Sequence, residues 1–311
     1  MALIQAPNAV VMVRPWKFFS NPETAVDNAF QKTEAADLSN VSQRARAEFD
    51  IVVNGLTEHG INVHAFDDFG EKETPDSVFP NNWFSTHSGG HVALYPMYSP
   101  SRRRERRSDI IELLKSEYRV QDVTDFSGLE WDNLFLEGTG AMVLDNINRI
   151  AYTAKSNRSS EIILERFCAI FQYEPMAFDT ADANGTAIYH TNVMMCVASK
   201  YALICSDMIK DPSRRLAVIQ RLEECGIEVV KLGFDQIDNF AGNAIELTGR
   251  DGQSYLVMSQ RARDALTPEQ VARIELYSKI LAFDVPTIEL AGGSIRCMIA
   301  GLHLSPRLNN A

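Results

Sequence analysis

The chain has 311 residues, 45% of them hydrophobic, which is enough apolar material for one large core and excludes a disordered or fibrous polypeptide. Its 30 Lys+Arg against 41 Asp+Glu give a formal charge of -11, a field that opposes nucleic acid and anionic membranes. The N-terminal MALIQAPNAVVMVRPW lacks a basic segment and a small-residue cleavage site, and no apolar run approaches spanning length, so a cytoplasmic protein with no membrane partner is expected.

In chain order, five helix-like stretches each run into a strand-like stretch. These are 47–59 then 61–66, 108–118 then 119–124, 161–172 then 173–178, 215–225 then 227–232, and 268–282 then 285–290. Gly60 and Gly226 suit left-handed helix ends, and Pro268 suits a first turn. The strands begin near Ile61, Arg119, Tyr173, Ile227 and Val285, a period of about 55 residues. Between them lie further strand-like pieces: HVALYP, AMVLD with RIAYTA, and NVMMCVA with YALICS. Each unit therefore reads β-β-α-β. One such unit cannot bury both faces of its sheet, so five closing into a ring, sheets inside and helices outside, is the economical α/β propeller. With no linker-like composition step, residues 1–311 read as one domain. A doubly wound parallel sheet would need strands without these hairpins, and no GxGxxG is present.

Chemistry falls on the same period. Asn82, Glu137, His190, Asn243 and Cys297 are separated by 55, 53, 53 and 54 residues, each just ahead of the first strand of its unit. In a closed ring they point at the axis from equivalent positions, bringing a thiol, an imidazole and a carboxylate into one pocket. A helix cap or turn carboxylate would account for Glu137 alone, and a hydrogen-bonded core histidine for His190. The phased set favours catalysis. Cys168, Cys196, Cys205 and Cys225 lie in apolar helix or strand patterns as buried small hydrophobes, and the odd count of five cysteines without CxxC suggests neither disulfides nor zinc. His87 and His91, in a hairpin, lack a third ligand at metal spacing. The run RRRERR reads as a solvated helix entrance. Arg296 points away from Cys297 toward a salt bridge, and Asn21 lies in a loop that could cover the pocket. Asn243 carries a structural hydrogen bond.

The segments FPNNW, GGHVALYPMYSPSRRRER, LEGTGAMVL, NRS, YHTNVMM and GGSIRCMI resemble, in order, the motifs of the guanidine-modifying (pentein) superfamily that includes arginine deiminases, over about Val78 to Leu302. The wording is most similar to its citrulline-utilisation hydrolase branch. The resemblance implies Cys297 as nucleophile, His190 as general acid/base, Glu137 against the substrate nitrogens, and Arg102 and Arg158 on the α-carboxylate of an amino-acid substrate, with no metal or organic cofactor. Arginine deiminases carry aspartates where this chain has Asn82 and Asn192. Two amides remove the counter-ions of a guanidinium and supply donors for a neutral carbonyl, so the expected activity is hydrolysis of the ureido group of citrulline to ornithine, ammonia and carbon dioxide. A guanidine-modifying reaction on arginine or a derivative is the alternative, and a non-catalytic binding propeller a third reading. A homo-oligomer is compatible with all three.

Overall fold

Apolar residues recur along the middle strand of every unit, and in the computed structural model each such strand is flanked on both sides. The structure describes all residues except 1, 2, 26, 27, 29, 33–36 and 308–311. Strands β1 (Ala9–Pro15) and β2 (Asn62–Asp68) pair in parallel. The next three sheets each run antiparallel then parallel: β3 (Phe84–His87), β4 (His91–Leu94) and β5 (Asp122–Asp125); β6 (Met142–Asp145), β7 (Ile150–Ala154) and β8 (Glu174–Phe178); β9 (Met195–Val197), β10 (Tyr201–Ile204) and β11 (Glu228–Lys231). The same ladder joins β12 (Ile245–Thr248), β13 (Ser254–Ser259) and β14 (Lys279–Phe283). Finally β15 (Ala300–Gly301) pairs antiparallel with β1, so one sheet contains both ends of the chain. Five three-stranded sheets result, the expected α/β propeller.

The parallel crossovers are the helices. Leu38–Glu58 buries Val41, Ala45, Phe49, Val52 and Leu56 along one stripe, in one apolar cluster with Val10 and Met12 of β1. Gly60 and Gly226 close their helices at φ +78° and +72°, and Pro268 opens its helix behind a Thr267 cap. The third strands lie outermost and are half exposed, whereas β6, β9 and β10 are buried throughout.

Two expectations are corrected. The first helix starts at Leu38, capped by Asp37, ahead of the expected residue 47. The fifth outer strand is Lys279–Phe283, and 285–290 is not a strand: Pro286 has no N–H to give a ladder, and the Glu48 carboxylate takes the amides of Thr287 and Ile288. There the chain forms the turn Ile288–Ala291.

Position along the ring decides the site. A short helical turn precedes the first strand of four sheets: Pro80–Asn82, Gly138–Ala141, Thr191–Met194 and Ile295–Met298. Asn243 occupies the corresponding bend before β12.

Candidate active site

The four turns and the bend meet at the axis. Glu137 and His190 each hold the N-cap of their turn, Asn192 is the second residue of the same turn as His190, and Cys297 is the third residue of its turn. All are buried. The residues therefore share a place in the repeat but not one register, a correction to strict equivalence.

His190 Nε2 lies 2.8 Å from Glu137 Oε2, and the other Glu137 oxygen accepts from the Tyr98 N–H at 2.9 Å. Burial pushes the Glu137 carboxyl up, but Arg158, the His190 hydrogen bond and Arg102 overcome it and hold the carboxyl well below its ordinary range. Burial lowers the His190 pKa even with Glu137 opposing, so the resting imidazole is neutral near pH 7. With Nε2 committed to the carboxylate, Nδ1 is the nitrogen placed to move a proton. It faces Gly140, where an added Cβ would stand 2.8 Å from Nδ1 and closer still to the Asn82 amide. Only glycine allows both groups so near.

Two amides converge on the Cys297 sulfur. Asn192 Nδ2 and Asn243 Nδ2 each donate to Cys297 Sγ at 3.3 Å. Asn243 Nδ2 also reaches the Asn192 carbonyl at 3.0 Å, and its Oδ1 accepts from the Arg296 N–H at 3.1 Å. Asn192 Oδ1 is buried without a partner, an acceptor left beside the sulfur.

Arg102 and Arg158 line the same cavity as Asn82, His190 and Cys297, together with Thr24, Asn28, Asp76, Phe79 and Tyr189. Arg158 lies 3.6 Å from Glu137 and over the Tyr189 ring. Arg102 donates through Nε and Nη2 to Glu105 at 2.9 and 3.0 Å, and stands 3.8 Å from Glu137 and 3.9 Å from Asp76. With the Asn82 amide turned to suit its neighbours, its oxygen accepts from Arg102 at 2.8 and 3.1 Å and its nitrogen donates to Asn81. Arg102 thus fixes Asn82 as well as facing the cavity. Burial raises the Glu105 carboxyl to about 8 despite the guanidinium beside it.

Sequence reasoning missed Asp76 and Glu105. Asp76 Oδ2 accepts from Asn21 at 2.8 Å, while buried Oδ1 has no partner, and burial pushes this carboxyl up against the pull of Arg102. Glu105 could have been found from its i, i+3 spacing to Arg102. Nothing local marks Asp76. Asn21 is buried and bonded to Asp76 and Ser101, and its loop brings Thr24 and Asn28 over the cavity. Arg296 faces away from Cys297 as expected, but from a helical turn rather than an extended segment, and the anticipated salt bridge is not seen among the described residues.

A model of the family described as N,N dimethylarginine dimethylhydrolase, eukaryotic, matches residues 14–304. The chain belongs to this family. Among solved structures, the N-terminal domain of ArgZ, an arginine dihydrolase from cyanobacteria captured as a mutant with substrate, is similar with a TM-score of 0.73 and 17% identity over 95% of this chain and 99% of that one. Unliganded AgrE gives 0.72 and 19% identity over 94% of this chain and 38% of its own. A dimethylarginine dimethylaminohydrolase carrying an S-methyl-L-thiocitrulline adduct gives 0.61 and 12% identity over 94% and 99%. No curated protein matches the chain in sequence. At these identities the solved structures establish the five-sheet fold, and the dimethylhydrolase family places the chain among the guanidine-modifying pentein hydrolases.

Proposed function

We propose that the protein hydrolyses the ureido group of citrulline through a covalent intermediate on Cys297. The observation that carries the reading is the amide pair. The side chains flanking Cys297 and His190 are Asn82 and Asn192, and Glu137, the carboxylate at the reacting end, is already bonded to His190 and the Tyr98 amide. A buried guanidinium would lack two counter-ions there, at a cost of about 3–5 kcal/mol for one unpaired charge, whereas a neutral ureido group needs only donors and acceptors.

Cys297 gives its thiol proton to His190 Nδ1 and attacks the ureido carbon, and the C–N bond to the terminal nitrogen breaks as His190 returns that proton to make ammonia. His190 then takes a proton from water, which attacks the thiocarbamate and releases the thiolate. The resulting N-carboxyornithine loses carbon dioxide. One water is consumed and ornithine, ammonia and carbon dioxide are formed. Asn192 and Asn82 orient the ureido group, and Glu137 keeps His190 in register. Arg158 with Arg102 pairs with the α-carboxylate. Asp76 Oδ1, buried and unpaired, suits the α-ammonium. The cavity of about 20 Å³ holds little more than a water, so its walls must open to admit an amino acid.

A second reading is favoured by the likeness to ArgZ: a dihydrolase that takes arginine through both hydrolyses, the second of which is the ureido step above. Replacing both amides separates the two. Asn82→Asp with Asn192→Asp is expected to shift kcat/KM toward arginine by at least tenfold relative to citrulline, since each carboxylate restores a desolvated partner. Unchanged preference would remove the basis for the neutral-substrate reading.

A further inference from the structure

Cys297 and Arg296 are consecutive, and the turn Ile295–Met298 directs them to opposite sides of the layer that carries the catalytic groups. Cys297 faces the catalytic cavity. Arg296 lines a separate cavity of about 60 Å³ at the other end of the axis, shared with Gln5, Thr86, Asn146, Glu246 and His303. Its walls come from the first strands of the sheets, and half-exposed Asn146, Arg296 and His303 mark where it opens.

The polar groups of this rear cavity are accounted for, with one exception. Glu246 is buried in the cavity wall, its oxygens satisfied by Ser199 and Ser278. His303 Nε2 meets either the Asn146 amide at 3.2 Å or the Gln5 carbonyl at 3.4 Å according to its tautomer, and Gln5 Nε2 donates to the Leu144 and Val197 carbonyls. Thr86 donates to Gly301 and accepts from the His303 N–H. Arg296 spends Nη1 on the Ile299 carbonyl at 2.9 Å and, among the described residues, has no carboxylate within ion-pair distance. Burial lowers its pKa against the opposing influence of Cys297 and Cys196. Burial likewise keeps His303 neutral, so Arg296 is the cavity's one formal cation among the described residues.

We propose that the rear cavity is a binding site for a small planar oxyanion of carboxylate type, held by the free edge of the Arg296 guanidinium. Volume limits the occupant to the size of formate, acetate or bicarbonate, and the planar guanidinium matches an O–C–O face. The site lies one residue behind the nucleophile. The Arg296 N–H donates to Asn243 Oδ1, and Asn243 Nδ2 donates to Cys297 Sγ, so the occupant sits on the same hydrogen-bonded chain as the reacting sulfur.

The test uses the full chain with formate, acetate and bicarbonate, each against chloride at equal ionic strength, and reads melting temperature together with saturation-transfer NMR on the formate proton. Ligand that binds the folded state raises its melting temperature by mass action. The expected result is a rise above the chloride reference that is lost in Arg296→Met, weakened in Arg296→Lys, and retained in Arg158→Met. Retention in the last variant separates the rear site from the front one. A response to all three anions points to free carboxylates, and a response to bicarbonate alone points to bicarbonate; both support the site. The proposal is overturned if no anion exceeds chloride, or if the response disappears in Arg158→Met, which would place the anion in the catalytic cavity. The formate signal in Arg158→Met decides this even if Arg296→Met does not fold.

Discussion

Asn243 links separate turns of the ring around Cys297. Its amide nitrogen bonds the Cys297 sulfur and the Asn192 carbonyl, and its oxygen holds the Arg296 N–H, so it ties the turns bearing Asn192 and Cys297 together. Asn243→Ala leaves the sulfur one donor, from Asn192, and frees the turn bearing Cys297. A hydrogen bond contributes about 0.5–1.5 kcal/mol, which corresponds to a loss of roughly 2- to 10-fold in kcat under the proposed mechanism, with KM little changed because no substrate contact is lost. Steady-state kinetics alongside a thermal melt test this; a raised KM at unchanged kcat would contradict it. The sequence showed Asn243 through its spacing from His190 and Cys297, since a repeat displays phase. It hid the partners, because which atoms an amide reaches depends on how two distant turns pack. Asp76 was invisible for the same reason: its partner Asn21 lies 55 residues away in a loop.

At the scale of elements, the arginine run and the β3–β4 hairpin both differ from their surface reading. The arginines around Arg102 do not simply meet water. Arg103 bonds the Met97 and Tyr98 carbonyls, Arg104 those of Lys72 and Glu73, Arg106 reaches Glu130 and Tyr95, and Arg107 reaches Asp109 and Asp67. They pin this segment to its neighbours, which charge patterning alone cannot reveal. In the hairpin, His87 packs against Phe167, Phe171 and Tyr173, bonds Ser85 through Nε2, and leaves Nδ1 unpaired. Burial, with the positive charge of Arg149 adding to it, holds its pKa well below 6.5. The unfolded chain then binds the extra proton first, so this contribution is complete above about pH 6.5 and declines as the pH falls below it, by up to about 1.4 kcal/mol per pH unit. His87→Gln is expected to flatten the stability-versus-pH slope between about pH 6 and pH 5 by that amount in urea titrations, leaving His303 as a remaining contributor with a depressed pKa. An unchanged slope would mean that His87 does not carry the dependence.

For the whole molecule, the ring explains why the site forms at all. Groups some 55 residues apart meet because β15 returns to β1 and closes the circle just after Cys297, with Val10 opposite Gly301 and Val11 opposite Ala300. The fivefold period made the ring legible from helix and strand patterns. Its closure was not, since β15 is only two residues long and β1 reads as a plain apolar stretch. A chain ending at Ile299 loses this strand and the buried Leu302 and Leu304, an expected loss of about 3–6 kcal/mol in urea unfolding. Stability equal to the full chain would show that closure lies elsewhere. No helix among the described residues is long and apolar enough to cross a membrane.

The measurement that bears most directly on the proposed chemistry is product identification. Purified protein is incubated separately with citrulline and with arginine, beside a Cys297→Ser control, and the amino-acid product and ammonia are assayed. Ornithine and ammonia from citrulline, absent in the control and without turnover of arginine, is the result expected of a neutral-ureido hydrolase. Arginine converted to citrulline or ornithine while added citrulline remains untouched would contradict the account, and with it the role assigned to Asn82 and Asn192.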